Sequence, residues 1–110
     1  MKWVHSVFNE LKFGHREVVY QRALATELTK QKLSYNKELS FPIRYSNTIV
    51  SRYFVDFLVE ESIIVEVKVG NELFDSYIKQ AIAYLKQSRY SLALLALFTP
   101  QGVKIKRVII

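Results

Sequence analysis

The chain has no cysteine, and its 110 residues include only three glycines, two prolines, two histidines and one tryptophan. Without thiols there are no disulfides, no thiolate nucleophile and no sulfur-ligated metal, so any metal must rest on oxygen or histidine. His5 and His15 are too few for a histidine metal site or a catalytic triad. No glycine-rich phosphate loop is present, which argues against nucleoside-triphosphate chemistry. Scarce Gly and Pro, with 50% hydrophobic and 24% charged residues, set the chain apart from disordered polymers. The longest apolar run, LALLALF at 92–98, is too short to span a bilayer. The opening MKWVHSVFNELK lacks the apolar core and cleavage site of a signal peptide. A cytoplasmic protein without a membrane segment is expected, folded as a single domain over residues 1–110.

The net charge is +6, unevenly spread. Asp56, Glu60, Glu61, Glu66, Glu72 and Asp75 crowd one stretch, whereas residues 76–110 carry Lys79, Lys86, Arg89, Lys104, Lys106 and Arg107 and no acid. A basic surface attracts polyanions, and those six cations are candidates for contacts to a nucleic-acid backbone.

Hydrophobic periodicity divides the chain. Trp3, Val4, Val7, Phe8 and Leu11 recur at helical spacing, and Gly14 is expected to end that helix. A second helix is expected from about Arg16 to Lys32. SYNKELSFPIRY reads as a strand that Pro42 assigns to a sheet edge, and Ser46-Asn47 supply a turn. TIVSRYFVDFLVE and SIIVEVKV follow as strands, ELFDSYIKQAIAYLKQSR returns to helical period, SLALLALF reads as a strand buried on both faces, and VKIKRVII closes the chain. The expected order is α-α-β-β-β-α-β-β, an α/β fold.

Side chains alternate along a strand, so Phe54, Asp56 and Leu58 share one face, and so do Ile64, Glu66 and Lys68. If Glu60-Glu61-Ser62 form a three-residue hairpin loop, Val59 pairs with Ile63 and Asp56 comes to lie across from Glu66. A two-residue loop sets Asp56 beside Val67 instead, on the wrong face. Facing carboxylates destabilise a sheet unless something neutralises them, and a hard divalent cation such as Mg²⁺ or Mn²⁺ would do so. Lys68 then projects beside the ion, where an ammonium polarises water or stabilises a developing phosphoryl charge. Taken alone, the three residues fit a surface ion-pair cluster as well.

Asp56, nine intervening residues, and Glu66-Val67-Lys68 resemble the D-x(n)-(D/E)-x-K core of the PD-(D/E)XK nuclease superfamily, with Val55 where the nominal Pro would stand. Gly14-His15-Arg16-Glu17-Val18-Val19-Tyr20 looks like the motif that names its GxxExxY family. ALATEL, then Gln80-x-x-x-Tyr84, then IKRVI extend the resemblance through nearly the whole chain. It implies a restriction-endonuclease-like core, a mixed β-sheet flanked by helices, with a metal-dependent phosphodiesterase site. The implied site is Asp56 and Glu66 on Mg²⁺ or Mn²⁺ with help from the Val67 carbonyl, Lys68 serving the attacking water, and Glu17 as an auxiliary metal-site acid. Gln80 and Tyr84 are second-rank members.

Each of these has a plainer reading. Glu17 complements a helix dipole, Tyr20 packs, and Gln80 with Tyr84 form a half-buried helix face. The expected activity is endonucleolytic cleavage of DNA, with RNA left open and a homodimer compatible with the composition. A junction-resolving variant and a non-catalytic nucleic-acid-binding module of the same fold are the alternatives.

Overall fold

The structure, a computed structural model, describes residues 2–110 without the side chain of Glu38. Its elements are α1 (Lys2–Leu11), α2 (Glu17–Lys30), β1 (Tyr35–Tyr45), β2 (Thr48–Val59), β3 (Ile63–Val69), α3 (Asp75–Gln87), β4 (Leu92–Thr99) and β5 (Gly102–Ile109), in the expected order. The five strands lie in the order β1-β2-β3-β4-β5. Every pair is antiparallel except β3 with β4, which α3 connects as a crossover, so the sheet is mixed as expected.

Two apolar layers hold the sheet. On one face Val4 and Val7 of α1 and Tyr20, Leu24, Ala25 and Leu28 of α2 pack on Phe57, Val65, Val67, Leu94 and Phe98. On the other, Ala81, Tyr84 and Leu85 of α3 pack on Leu58, Ile64, Ala93 and Leu95. β4 supplies both layers from alternate positions, which is why its sequence is apolar without interruption. Pro42 lies on β1, an edge strand, as its missing N–H requires.

Turn chemistry sets the register. Ser46 and Asn47 both take left-handed backbone, φ 49° and 65°, the twist a two-residue hairpin needs. The next connection is the three-residue one, with Val59 opposite Ile63. Glu60 fixes that loop to the start of β1: its carboxylate accepts from the Ser34 N–H at 3.1 Å and hydroxyl at 2.5 Å, and its own N–H donates to the Ser34 carbonyl at 2.9 Å. The hydrogen bonds from the Ser34 side chain and backbone hold the Glu60 carboxyl below its ordinary pKa.

Three boundaries differ from the periodicity. α1 ends because Lys12, not Gly14, takes the left-handed conformation, φ 60°. The Lys12 carbonyl is claimed by the buried Tyr20 hydroxyl at 2.5 Å, which also accepts from the His15 N–H at 3.4 Å. This clamp stabilises the strained turn from a residue eight positions away. Gly14, at φ 122°, makes the second bend, in a conformation side chains resist. α2 spans Glu17–Lys30, with Arg16 as its extended N-cap. α3 begins at Asp75 rather than near Glu72, because Phe74 is extended and its carbonyl accepts the first bond of the helix, from Tyr77 N–H at 3.0 Å.

The β1–β2 ribbon twists strongly. Val55 and Phe57 share a strand face, yet Phe57 joins the α1/α2 layer and Val55 the α3 layer. The same change separates Tyr35 from Leu39 and Phe41 on β1. The ribbon therefore rotates across the sheet around Asp56, with a register shift only farther out, at Ile43/Arg44.

Tyr20→Phe tests the clamp. Losing the hydroxyl strips the Lys12 carbonyl of its partner and is expected to lower unfolding free energy by about 1 kcal/mol, read from the urea midpoint at unchanged slope.

Candidate functional site

The β2–β3 ladder runs from Val59/Ile63 to Phe57/Val65. At the next position the carboxylates intervene. The Asp56 N–H donates to Glu66 Oε1 at 2.6 Å, and the Val67 N–H donates to Asp56 Oδ2 at 2.7 Å. Asp56 and Glu66 do meet across the two strands, as the three-residue loop requires. They meet as acceptors for backbone N–H groups of the opposite strand, where the ribbon's rotation carries β2 away from β3.

Glu66 is 4% exposed, between Val65 and Val67 and beside β4, while Asp56 is half-buried. Burial first, and the Asp56 charge second, push the Glu66 carboxyl up to about 8, against the opposing pull of the Asp56 N–H and of Lys68. Glu17, the first residue of α2, is exposed overall, but its carboxyl pKa is raised by partial desolvation and then by Asp56, while Lys68 lowers it. Its position follows from Gly14 and the Tyr20 clamp, which fix where α2 starts. Lys68 is half-buried with its ammonium 4.9 Å from the centre of the Tyr77 ring, a cation–π contact that steers it toward α3.

Tyr84, 4% exposed, packs edge-on against Tyr53 at 4.8 Å. Its phenol is pushed up by burial first and by Glu66 and Asp56 next, so it stays a neutral hydroxyl. Gln80 lies exposed on α3, one turn before Tyr84. Glu17, Asp56, Glu66, Lys68 and Tyr84 thus form one electrostatic cluster drawn from α2, β2, β3 and α3. The cations proposed from charge alone divide differently. Lys79 and Lys86 are exposed on α3 and Arg89 just beyond it, whereas Lys104, Lys106 and Arg107 lie on the far edge strand β5. On β5, Arg107 falls on the opposite face from Lys104 and Lys106 by strand alternation, so those three do not make a single patch.

A cavity of about 270 Å³ opens beside Asp56, lined by Val18, Gln21, Arg22, Lys37, Asp56 and Phe57. Gln21, Arg22 and Lys37 were not anticipated. Gln21 follows Glu17 by one helical turn and was open to that inference. Lys37 comes near only through the pairing of β1 with β2, opposite Phe57.

Whether these residues suit a divalent ion is decided by their donors. Among the described residues, no three His, Cys, Asp or Glu side chains gather to hold an ion between them. Two converging carboxylates, one nearly fully buried, offer hard oxygen donors and a like-charge conflict that a cation relieves, which suits Mg²⁺ or Mn²⁺. The residues present fit such an ion.

The raised Glu66 pKa has a consequence for stability. Between its unfolded value of 4.5 and its folded value of about 8, the folded state binds the extra proton. This contribution is fully present below 4.5 and is lost as pH rises through the folded value. In chelator, the thermal midpoint is expected to fall from pH 5 to pH 8, and Glu66→Gln is expected to flatten that decline.

The family model of the PD-(D/E)XK nuclease superfamily matches residues 1–108. No curated protein matches the chain. Among solved structures, "Crystal structure of SSO0001" superposes with a TM-score of 0.69 at 15% sequence identity, covering 84% of this chain and 48% of that one. The chain therefore spans about half of that structure's length, and at this identity the likeness is one of fold, in agreement with the mixed sheet between helices. Among the described residues, no helix is long and apolar enough to cross a membrane. With its family model matched over residues 1–108, nearly the whole of its length, the chain belongs to the PD-(D/E)XK nuclease superfamily.

Proposed function

We propose that the chain is a Mg²⁺- or Mn²⁺-dependent endonuclease of the GxxExxY branch that hydrolyses DNA phosphodiester bonds. The observation that carries this reading is the exchange between Asp56 and Glu66, each accepting a backbone N–H of the opposite strand, with the Glu66 carboxyl buried. Structural ion pairs seldom bury an acid beside another acid, whereas a site built for a cation gains by it.

Asp56 and Glu66 would hold the ion, with the Val67 carbonyl as a further oxygen donor. When bound, the ion lowers the pKa of water and neutralises phosphoryl charge. Hydrolysis forms a bond from a water oxygen to phosphorus and breaks the bond from phosphorus to the leaving sugar oxygen, which takes up a proton. Glu17, at the head of α2, accepts a hydrogen bond from the incoming water and so aims its lone pair. Lys68, held near by Tyr77, sets an ammonium against the negative charge that grows on the phosphoryl oxygens. Tyr84, kept neutral, donates a hydrogen bond from its hydroxyl, and Gln80 supplies an amide one turn earlier. Lys79, Lys86 and Arg89 hold the DNA backbone near α3, and the β5 cations, Lys104 and Lys106 on one face and Arg107 on the other, are separate and more remote candidates for backbone contact.

Cleavage of plasmid and oligonucleotide DNA with Mn²⁺, Mg²⁺ or chelator tests this. Activity is expected only with a divalent ion, and Asp56→Asn or Lys68→Ala is expected to lower its rate by about 10²–10³. DNA binding without cleavage under every ion would mark a non-catalytic module, and cleavage that survives Asp56→Asn would overturn the assignment. RNA of the same sequence, run in parallel, decides the sugar preference.

A further inference from the structure

By strand alternation Ile64, Glu66 and Lys68 of β3 share one face, and Ile64 packs in the layer that α3 covers. Along α3, Tyr84 lies within reach of the Glu66 charge, and Tyr77, about two turns nearer the helix start, meets Lys68. Each ionisable side chain on this face of β3 therefore has an aromatic ring of α3 near it. The Lys68 ammonium lies 4.9 Å from the centre of the Tyr77 ring. Phe74, the N-cap of α3, stands edge-on to that ring at 5.4 Å, and its carbonyl accepts the Tyr77 N–H at 3.0 Å. The ring is thus held in place from the start of its own helix.

Charge alone would place Lys68 elsewhere. Its side chain is a flexible four-carbon stem with a compact charge at the tip, close enough to Glu17 and Glu66 to lower the pKa of both. Left to those carboxylates, the ammonium would settle on them and offset the repulsion between Asp56 and Glu66. Among the described residues, however, no carboxylate is ion-paired with it. Glu72 and Asp75, which precede Tyr77, are exposed, and solvent screens their pull. Tyr77 is half-buried and supplies a competing attraction, a π face whose hold on a cation strengthens with desolvation. An ammonium seated on the carboxylates would compete with a divalent ion for their oxygens. One seated on the ring does not, and its charge still reaches the site.

We propose that Tyr77 is a positioning residue for Lys68: its ring face holds the ammonium off Glu17, Asp56 and Glu66, so that lysine and cation do not compete for the same oxygens. This inference rests on the nuclease reading of the same site and adds to it the residue that sets Lys68. Tyr77 acts through Lys68 and touches no reacting atom. The ring face is what the role requires, so phenylalanine should replace it and leucine, which keeps the apolar packing, should not.

The first test is NMR of the whole chain in chelator. The lysine ε-methylene resonance that disappears in Lys68→Ala is expected to be shifted upfield by the ring in the wild type and in Tyr77→Phe, and to lose that shift in Tyr77→Leu. Because the wild-type shift can be read without the leucine variant, the test stands even if that variant fails to fold. The second test is Mn²⁺ binding by calorimetry, with no nucleic acid present. Tyr77→Leu is expected to weaken it by about tenfold and Tyr77→Phe by less than about twofold. In a Lys68→Ala background Tyr77→Leu should make no further difference, because the competing ammonium is gone. With DNA, Tyr77→Leu is expected to lower kcat at saturating Mn²⁺ by about tenfold while KM stays within about twofold.

An unshifted Lys68 resonance in the wild type would overturn the proposal. So would equal losses of Mn²⁺ binding in Tyr77→Phe and Tyr77→Leu, which would put the role on the hydroxyl. An equal effect of Tyr77→Leu with and without Lys68 would overturn it as well, by making Tyr77 a packing residue only. The ring shift and the Lys68-dependent Mn²⁺ effect, found without cleavage of any DNA, would leave this proposal standing and remove the nuclease reading. Asp56-dependent cleavage with kcat and Mn²⁺ binding indifferent to Tyr77→Leu would do the reverse.

Discussion

The site depends on one interruption of a hydrogen-bonded ladder. β2 and β3 pair from Val59/Ile63 to Phe57/Val65, and then two backbone N–H groups turn to the carboxylates of Asp56 and Glu66. Had the ladder continued, its backbone acceptors would have taken those donors, and the two acids would have faced each other with nothing to offset their repulsion. The exchange satisfies the donors and holds both carboxylates in a fixed orientation. It also brings Glu66 into a nearly fully buried position, where burial and Asp56 push its pKa up to about 8. Such an arrangement is unfavourable for an ion-free anion and well suited to a cation.

The rest of the molecule can be understood as support for that gap. The twist of the β1–β2 ribbon carries β2 from one apolar layer to the other around Asp56, so no additional residue has to be inserted between Tyr35 and Ile43. Tyr20 is fully buried, stacks on Phe98 at 4.3 Å and reaches back to Lys12, which fixes the turn that launches α2 and therefore the place of Glu17. This gives the spacing of Gly14, Glu17 and Tyr20 a mechanical meaning: one residue permits a bend, one is delivered by it, and one locks it. From the opposite layer α3 contributes Tyr77 to hold Lys68 and Tyr84 to close the wall beside Glu66.

Much of this could be read from residue order. The alternation in TIVSRYFVDFLVE and IIVEVKV, the uninterrupted LALLALF and the helical period through Leu73–Leu85 correspond to the observed elements, because each pattern reflects which faces are covered. Element ends were less legible. Gly14 stood out as a helix terminator, yet Lys12 does the work because Tyr20 rewards its carbonyl. Periodicity carried α3 back toward Glu72, but no side-chain cap marks the start and Phe74 holds the extended conformation. Charge counting put the six C-terminal cations forward together, and the fold divides them between α3 and opposite faces of β5.

What the sequence determined by itself is local: the order of elements and the parity that places Glu66 and Lys68 on one side, with a two- or a three-residue loop after β2 left open until the structure set Val59 against Ile63. Strand alternation follows from backbone geometry, which each short segment carries within it. Tertiary structure alone decided that β2 leaves β3 at Asp56, that Arg22 and Lys37 border a cavity there, and that Phe54 is bare while Tyr53 is covered. Those outcomes arise from the twist of a ribbon caught between two helical layers. Its angle is set by packing between residues far apart in the chain, which no local pattern records.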